Sequence, residues 1–328
     1  MTRLDAQNLA ALVLSLCASV AGAAGVKREA QFRPEQVEPV AQAILELTLP
    51  DGSRGIRDAS EAVAPLRRYE RIASTSLVAD QVLFELCEPE RVVAVTHLSK
   101  NSPRYGRRYT KIAGLESPAD LEPILALHPD LLLSNHFGDP RYAARLREQG
   151  TVVFDLGDMG GLDSLLATIR VIGKLVSAEQ RAERLAQDFV HELEAVAADV
   201  PQNARPRALY LAAYGKQLYG GAPGTSYHDV LTYAGTVDVT AGHYRGWPAL
   251  DAEQVLTLDP DVLVTPRGMA QQLCKAPGLE ALRPCGGEGR IVELDADLVD
   301  DPGLPMLELA ESLRQQIHGP RSKQSTRP

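Results

Sequence analysis

The stretch EPILALHPDLLL at residues 122–133 returns as EQVLTLDPDVLV at residues 253–264, so that the two copies lie 131 residues apart. Each copy predicts a helix that buries one face, a Pro-Asp turn, and a strand that is buried on both faces. One such unit is common in α/β proteins. Two copies in register indicate that the chain contains two lobes built on one plan.

The chain around these copies alternates short apolar runs with amphipathic stretches, which is typical of a parallel sheet covered by helices. Helical patterns cover Leu77–Leu86 and Leu121–Leu127. We therefore predict the fold class α/β, with two lobes that each contain a mainly parallel sheet flanked by helices. The apolar runs interpreted as strands are Val92–Val95, Leu131–Leu133, Val152–Phe154, Ala208–Ala212, Val262–Thr265 and Ile291–Leu294.

The longest helical pattern lies between the two halves and predicts a long, rigid helix that joins the lobes. Its apolar residues recur at spacings of three and four, and Ser177 is a candidate N-cap for the second part. The part from Ser177 to Asp199 would be about 35 Å long as a helix. Pro201 marks its end. The recurring residues are Leu165, Ile169, Ile172, Leu185, Phe189, Leu193 and Val196.

Composition restricts the class of partner. The 328 residues contain 34 Lys and Arg against 43 Asp and Glu, and the resulting net charge of −9 argues against nucleic acid or an anionic membrane as the main partner. No apolar run reaches the ~20 residues that a membrane helix needs. Aromatic residues make up only 5% of the chain, too few to build the cores. The positions of the Tyr residues and the single Trp are therefore informative about function.

The beginning of the chain predicts export. Residues 9–24 read LAALVLSLCASVAGAA, an apolar stretch that ends in an A-x-A-like cleavage site. We expect residues 1–23 to be a signal peptide and the mature protein to be periplasmic. The alternative is a hydrophobic first helix of a cytosolic protein. Lipid anchoring at Cys17 is not favoured, because Leu16 is large where a small residue is normal.

The other cysteines fit an oxidising compartment. Cys274 and Cys285 lie in a stretch rich in Pro and Gly and could form a disulfide there. Cys87 is expected to be a small buried hydrophobic residue. No Cys-x-x-Cys pair occurs, so zinc-finger and thioredoxin-like sites have no support.

Polar and aromatic side chains follow the predicted strands. In open parallel sheets, ligands bind outside the carboxyl ends of the strands, so these loops would face each other across a cleft. The loop Lys100–Tyr109 alone contains four cations and two Tyr. Tyr and Trp provide flat contact area and Arg suits carboxylate or phosphate, which indicates a large, partly anionic, partly apolar ligand. Alternatively, Arg104, Arg107 and Arg108 form a solvated loop.

Enzyme motifs are missing from the sequence. It has no phosphate-binding loop with a Lys, no H-E-x-x-H, no G-x-S-x-G, and no G-x-G-x-x-G after the first strand. Residues 220–225 are rich in Gly but contain Pro223 and no Lys. Binding is therefore favoured over catalysis, and no catalytic residue is assigned.

Taken together, these segments resemble the class III periplasmic binding proteins of ABC importers, which carry ferric siderophores, haem or cobalamin. The resemblance covers Tyr69 to His318. It rests on RIASTSLVADQVLFEL at the start of the first lobe, ERVVAVT after it, the paired L-x-P-D-[LV]-L strands, WPALDAEQVL in the second lobe, and the long helix between. It implies two α/β lobes that close modestly around a ligand.

The resemblance also implies an organisation and a set of partners. Members of this family place one Glu on each lobe to meet Arg residues of the permease, and Glu122 and Glu253 occupy the matching positions. The expected partners are a permease with its ATPase and a small metal chelate, and the protein is expected to be a monomer. The predicted segments are a signal peptide 1–23, a polar extension with a hairpin 24–68, an N-terminal lobe 69–160, linking helices 161–200, a C-terminal lobe 201–319 and a disordered tail 320–328.

By position in the family, the ligand contacts would come from the loops at the cleft. The Arg and Tyr content favours a ferric siderophore or haem, while stacking on Trp247 leaves cobalamin open. No resident cofactor is expected, and the chelate, haem or cobalamin is cargo. The expected ligand contacts are Ser74, Thr75, Ser76, His97, Arg104, Tyr105, Arg107, Asn135, His136, Phe137, Tyr214, Tyr219, Tyr244, Trp247 and Arg267.

Two alternatives belong to other classes of protein. One is a binder of a bare divalent ion of the zinc or manganese type, with His97, His136 and either His243 or a carboxylate of the second lobe as ligands. The other is an enzyme on the same two-lobed plan.

Overall fold

The computed structural model describes residues 46–116, 121–135, 140–295 and 303–319. The predicted leader, Cys17 and the predicted tail lie outside the described residues. Within them, no helix combines the length and the apolar character that a membrane crossing requires.

The N-terminal lobe is built on a five-stranded parallel sheet with the strand order β6-β5-β4-β7-β8. Its strands are β4 (Ile72–Ser74), β5 (Val92–Thr96), β6 (Ala113–Leu115), β7 (Leu131–Ser134) and β8 (Val152–Asp155). The helices that follow these strands are α1 (Leu77–Leu86), α2 (His97–Asn101), α3 (Leu121–Ala126) and α4 (Pro140–Glu148). The short strands β4 and β6 had no apolar run long enough to predict them.

The C-terminal lobe has a six-stranded sheet in which β9, β11, β13 and β14 are parallel. At one edge, β10 pairs antiparallel with β9, and β12 pairs antiparallel with β10. The strands are β9 (Arg207–Tyr214), β10 (Gln217–Gly220), β11 (Val237–Asp238), β12 (Ala249–Leu250), β13 (Val262–Pro266) and β14 (Arg290–Leu294). The helices are α7 (Ser226–Tyr233), α8 (Ala252–Leu258), α9 (Ala270–Cys274), α10 (Arg283–Gly286) and α11 (Met306–His318). The predicted fold class is confirmed.

The internal repeat folds as the same unit in both lobes: α3 leads into β7, and α8 leads into β13. In each copy the Asp of the Pro-Asp turn ties the unit to the first strand of its lobe. Asp130 accepts hydrogen bonds from the backbone N–H groups of Glu70 (2.7 Å) and Arg71 (2.9 Å). Asp261 accepts one from the N–H of Arg207 (3.0 Å). The shared sequence therefore encodes a shared connection between neighbouring strands.

Two packed helices connect the lobes, α5 (Leu162–Leu175) and α6 (Glu179–Val196). The prediction of Ser177 as an N-cap is wrong. Ser177 has φ 62° and ends the turn after α5, while Ala178 is the N-cap of α6 and makes no side-chain capping hydrogen bond. The helix α6 has 18 residues and is about 27 Å long. The helices cross closely at Gly173, where an added Cβ would lie 2.3 Å from the Cβ of Ala182.

One continuous apolar core lies between the two sheets. It contains Ile72 and Leu133 from the first sheet, Ile169 of α5, Leu193 of α6 and Val264 from the second sheet. The outer faces have separate clusters, one around Leu132 and one around Leu263. The helical layer thus fuses the lobes on their inner faces.

A three-stranded antiparallel sheet precedes the N-terminal lobe, and we call it the N-terminal meander: β1 (Glu46–Thr48), β2 (Arg54–Arg57) and β3 (Val63–Pro65). The pairing of β1 with β2 forms the predicted hairpin, whereas β3 was not predicted. The backbone N–H of Asp155 at the end of β8 donates to Asp58 (3.0 Å) and its carbonyl accepts from the N–H of Ala59 (3.1 Å). These bonds fix the N-terminal meander to the edge of the first sheet.

The cysteines of the C-terminal lobe are paired in the structure. Cys274 at the end of α9 forms a disulfide with Cys285 in α10, and their Cα atoms are 5.3 Å apart. Cys87 is buried, as predicted, and burial raises the pKa of its thiol to about 11.

Candidate functional site

The carboxyl ends of the strands in both sheets border one cleft. At its floor the loop after β8 meets the loop before α7. A Cβ on Gly160 would lie 3.2 Å from the carbonyl oxygen of Gly224. The backbone N–H of Leu162 donates to Asp229 of the opposite lobe (2.7 Å). The two loops therefore meet closely at the floor of the cleft.

The cleft edge of the C-terminal lobe has an exposed aromatic rim, which we define as Tyr214, Tyr219 and Trp247. Tyr214 is 58% exposed and Trp247 is 50% exposed. Tyr214 and Tyr219 meet edge to face with ring centroids 5.9 Å apart. Trp247 lies edge to face on Tyr227 (5.0 Å), whose ring stacks on buried Tyr210 at 3.8 Å. Buried rings therefore position Trp247 at the surface.

Tyr244 is the fourth predicted aromatic contact in this lobe. It is half-buried and packs against the outer apolar cluster, and burial raises the pKa of its phenol. It therefore presents less surface to the cleft than the aromatic rim does.

Two serines predicted as ligand contacts are structural. Ser74 is fully buried, and its Oγ donates to the carbonyl of Ser76 (3.0 Å). The Oγ of Ser76 accepts from the N–H of Ala79 (3.2 Å) and caps helix α1. These hydroxyls complete the turn from β4 into α1, and contact of Ser74 and Ser76 with a ligand stays a prediction. Thr75 between them is half-buried and bonds to the hydroxyl of Ser134 (2.8 Å).

The basic loop Lys100–Tyr109 packs against α1. Tyr105 is buried with its ring edge to face on Phe84 (5.2 Å), and Tyr109 is fully buried. The guanidinium of Arg108 lies 4.7 Å above the ring of Phe84 and donates to the carbonyl that follows α1 (2.8 Å). The ring of Tyr105 thus belongs to the apolar core between the sheets, and its contact with a ligand stays a prediction.

The arginines expected to bind an anion mostly have carboxylate partners. Arg104 forms an ion pair with Glu308 of α11 and so bridges the two lobes. Arg267 lies 3.5 Å from Asp295. Arg107 is exposed. Among the described residues, two of the three predicted arginines are thus paired with carboxylates rather than free.

The N-terminal lobe provides His97 at the start of α2, half-buried with its Nδ1 3.6 Å from Glu116. Its neighbour Leu98 is 56% exposed and was not predicted as a contact. The sequence alone cannot distinguish an exposed Leu from a buried one. The exposed position of Leu98 is therefore known only from the fold.

The loop after β7 begins with Asn135, whose side-chain amide donates to the carbonyl of Gly157 (2.9 Å) and ties this loop to the one after β8. The predicted contacts His136 and Phe137 lie outside the described residues.

A cavity of about 560 Å³ lies beside the cleft floor, where the N-terminal meander, α5 and α7 meet. None of the predicted ligand contacts within the described residues lines it. The sequence analysis noted the Gly-rich loop 220–225 but gave no sign that this loop lines a cavity. The walls include Arg57, Asp58, Ala59, Phe154, Leu156, Asp158, Leu162, Asp163, Ala167, Val171, Pro223, Gly224, His228, Asp229, Tyr233 and Arg245.

The buried charges in the cavity wall are engaged with the protein. Burial raises the pKa of Asp229, against the effect of its hydrogen bond from Leu162. The Nδ1 of His228 lies 2.6 Å from Asp238. Burial opposes protonation of His228, but Asp238 outweighs it and raises the pKa of the imidazole. These groups stabilise the wall of the cavity.

The sequence profile of the periplasmic binding protein family matches residues 72–298. The chain belongs to this family. This membership accounts for the two lobes, the helical layer that joins them and the cleft. The resemblance to periplasmic binding proteins predicted from the sequence is confirmed. The N-terminal meander lies before the matched residues.

Three proteins illustrate the similarity. A cobalamin-binding protein of Halobacterium salinarum is 24% identical over 261 residues, which cover 76% of this chain and 69% of that protein. A periplasmic haem-binding protein of Vibrio cholerae has a structure with a TM-score of 0.65 and 20% identity, covering 76% of this chain and 98% of that one. A possible iron-binding periplasmic protein of Staphylococcus epidermidis has a TM-score of 0.66 and 21% identity, covering 77% and 100%.

These comparisons confirm the predicted class of function, a solute-binding component of ABC importers, over the two alternatives. In the part of the chain that the structure describes, no three His, Cys, Asp or Glu side chains are grouped to hold a metal ion. Neither the geometry nor the relatives support a bare-metal binder or an enzyme.

Proposed function

We propose that this periplasmic binding protein captures a corrinoid of the cobalamin type in its cleft and delivers it to an ABC importer. The observation that carries the proposal is the aromatic rim, with Trp247 half exposed on a support of buried rings. A flat aromatic surface of this kind suits the face and edges of a large macrocycle.

The distribution of charge favours a corrinoid over haem or a ferric siderophore. In the sequence, haem or a ferric siderophore was favoured because of the arginines in the loops predicted to line the cleft. Arg104 and Arg267 instead face carboxylates, and Arg108 packs on α1. Haem carboxylates would thus meet Arg104 and Arg267 already paired, whereas the neutral amides around a corrin ring need no guanidinium group. The cobalamin-binding relative from Halobacterium supports the same choice.

The single Trp makes the proposal directly testable. We expect added cobalamin to quench the fluorescence of Trp247, and equilibrium dialysis to give one cobalamin per protein. Trp247→Ala should weaken cobalamin binding in dialysis roughly tenfold, while Tyr142→Phe on α4, outside both the aromatic rim and the cavity, should leave it unchanged. Haem or a ferric siderophore binding more tightly than cobalamin would overturn the proposal.

We propose that Glu122 and Glu253 contact the permease. Both are exposed in the first turns of α3 and α8. Because these helices run back toward the starts of β7 and β13, their first turns lie near the carboxyl ends of the strands. One carboxylate per lobe therefore flanks the cleft.

Export to the periplasm by the leader 1–23 is also a proposal, as are the lobe boundaries 69–160 and 201–319. Formation of the Cys274–Cys285 disulfide supports an oxidising compartment.

A further inference from the structure

We infer that the cavity beside the cleft floor is a second compartment of the cargo site, which takes the nucleotide appendage of a corrinoid. That appendage is an aromatic base attached through a ribose phosphodiester. The inference rests on the proposed function, and it adds a wall formed by Arg57, Asp58 and Ala59, which lie before the residues that the family profile matches.

The N-terminal meander contributes one wall of this compartment. Arg57, Asp58 and Ala59 form one wall of the cavity, and the family profile begins only at residue 72. The carboxylate of Asp58 fixes this wall, because it accepts hydrogen bonds from the N–H groups of Ser60 (2.8 Å) and Asp155 (3.0 Å). The wall is therefore preformed.

The cavity and the aromatic rim are joined through one pair of loops. The N–H of Gly246 donates to the carbonyl of Pro223, and the N–H of Ala222 donates to the carbonyl of Gly246, both at 3.0 Å. Arg245 on one side of Gly246 lines the cavity, and Trp247 on the other side belongs to the aromatic rim. A macrocycle on the rim would therefore lie next to the cavity mouth.

The chemistry of the cavity suits an aromatic base with a single anionic group. Phe154, Leu156, Val171 and Pro223 provide apolar surface, and about 560 Å³ is within the usual range for small-molecule sites. Arg245 is exposed and forms no ion pair with any described residue, and its guanidinium lies 3.6 Å from the Cβ position of Gly224. A phosphodiester at the mouth would pair with it.

The carboxylates of the cavity do not oppose this assignment. Asp58, Asp155 and Asp229 use carboxylate oxygens to hold backbone N–H groups. Asp158 and Asp163 are exposed to solvent, where salt screens their charge.

Cobinamide tests the inference, because it has the corrin ring and lacks the base, the ribose and the phosphate. We expect the native protein to bind cobalamin at least roughly tenfold more tightly than cobinamide. Ala167→Phe would fill the cavity from α5, and Arg245→Gln would remove the guanidinium. Each should weaken cobalamin binding about tenfold and leave cobinamide binding within about twofold.

Two exposed positions on α6 provide matched controls: Ala195→Phe and Arg184→Gln should change neither affinity. Equal affinity of the native protein for the two corrinoids, or equal losses for both in the cavity variants, would overturn the inference while leaving the proposed function intact. If the native protein bound neither corrinoid, the proposed function would fail, and this inference with it.

Discussion

Asp80 is a fully buried carboxylate beneath the cleft end of the first sheet. Its Oδ2 accepts from the backbone N–H (2.9 Å) and the hydroxyl (2.6 Å) of Thr96. Its Oδ1 and the nearby hydroxyl of Ser99 have no hydrogen-bond partner among the described residues. Burial raises the pKa of Asp80 to about 7, against hydrogen bonds that lower it. The folded protein therefore holds a proton there that the unfolded chain releases near the ordinary value of 3.8.

The sign of this shift predicts how stability depends on pH. Between pH 4 and pH 7 the folded state binds more protons than the unfolded state, so the Asp80 contribution to stability falls as pH rises. Asp80→Asn, which keeps an acceptor for Thr96 and cannot ionise, should remove that contribution. As pH rises from 5 to 8, we expect the free energy of unfolding of the native protein to fall by about 2–3 kcal/mol relative to that of the variant. Urea unfolding at several pH values measures this, and parallel curves for the two proteins would contradict it.

At the scale of elements, the repeated helix–turn–strand unit gives both lobes the same exposed corner. Asp130 and Asp261 fix the turn that follows each helix. Each helix is thereby held in the same relation to its strand, and Glu122 and Glu253 are placed alike on the two lobes. Exposed carboxylates at such a rim mainly guide the approach and orientation of a partner.

This placement predicts the effect of charge reversal. The double variant Glu122→Arg, Glu253→Arg should lose stimulation of the transporter ATPase and keep its ligand affinity, because neither residue lies at the aromatic rim or the cavity. A matched variant, Glu179→Arg with Glu192→Arg on exposed positions of α6, changes net charge equally and should stimulate normally. Reconstituted transport measures both, and unchanged transport in the first variant would reject the docking role.

At the scale of the whole molecule, the two lobes share one core and are clasped across it. Leu162 donates to Asp229, and reciprocally the N–H of Leu304 donates to Gln81 of the first lobe (2.9 Å). The continuous apolar cluster through α5 and α6 leaves little freedom for the lobes to separate. We therefore expect modest closure around a ligand and cooperative unfolding.

The crossing of α5 and α6 tests this cooperativity. Gly173→Leu would force the helices apart at Ala182 and should lower the free energy of unfolding by about 2–3 kcal/mol. Because the core is shared, Trp247 fluorescence from the second lobe and far-UV circular dichroism from both lobes should shift together. Ala195→Leu, exposed on α6, is the control. Separate transitions by the two probes would show that the lobes unfold independently.

Hydrophobic periodicity by itself determined the architecture. The long buried strands β5, β7, β8, β9, β13 and β14 were predictable because a strand buried on both faces needs a continuous apolar run. Helix α1 was predicted with its observed ends. The strands β4, β6, β10, β11 and β12 were missed because they are short, and their pairing comes from neighbours distant in sequence.

Only the tertiary structure decided which of the predicted polar and aromatic residues are exposed and which are buried. Position after a strand was the sole signal in the sequence, and it could not distinguish Trp247, exposed on the rim, from Tyr105, buried against Phe84. It also could not show that Ser74 and Ser76 complete a turn, or that the N-terminal meander encloses a cavity. Such roles depend on contacts between segments far apart in the chain, whereas periodicity records only which side of each segment is buried.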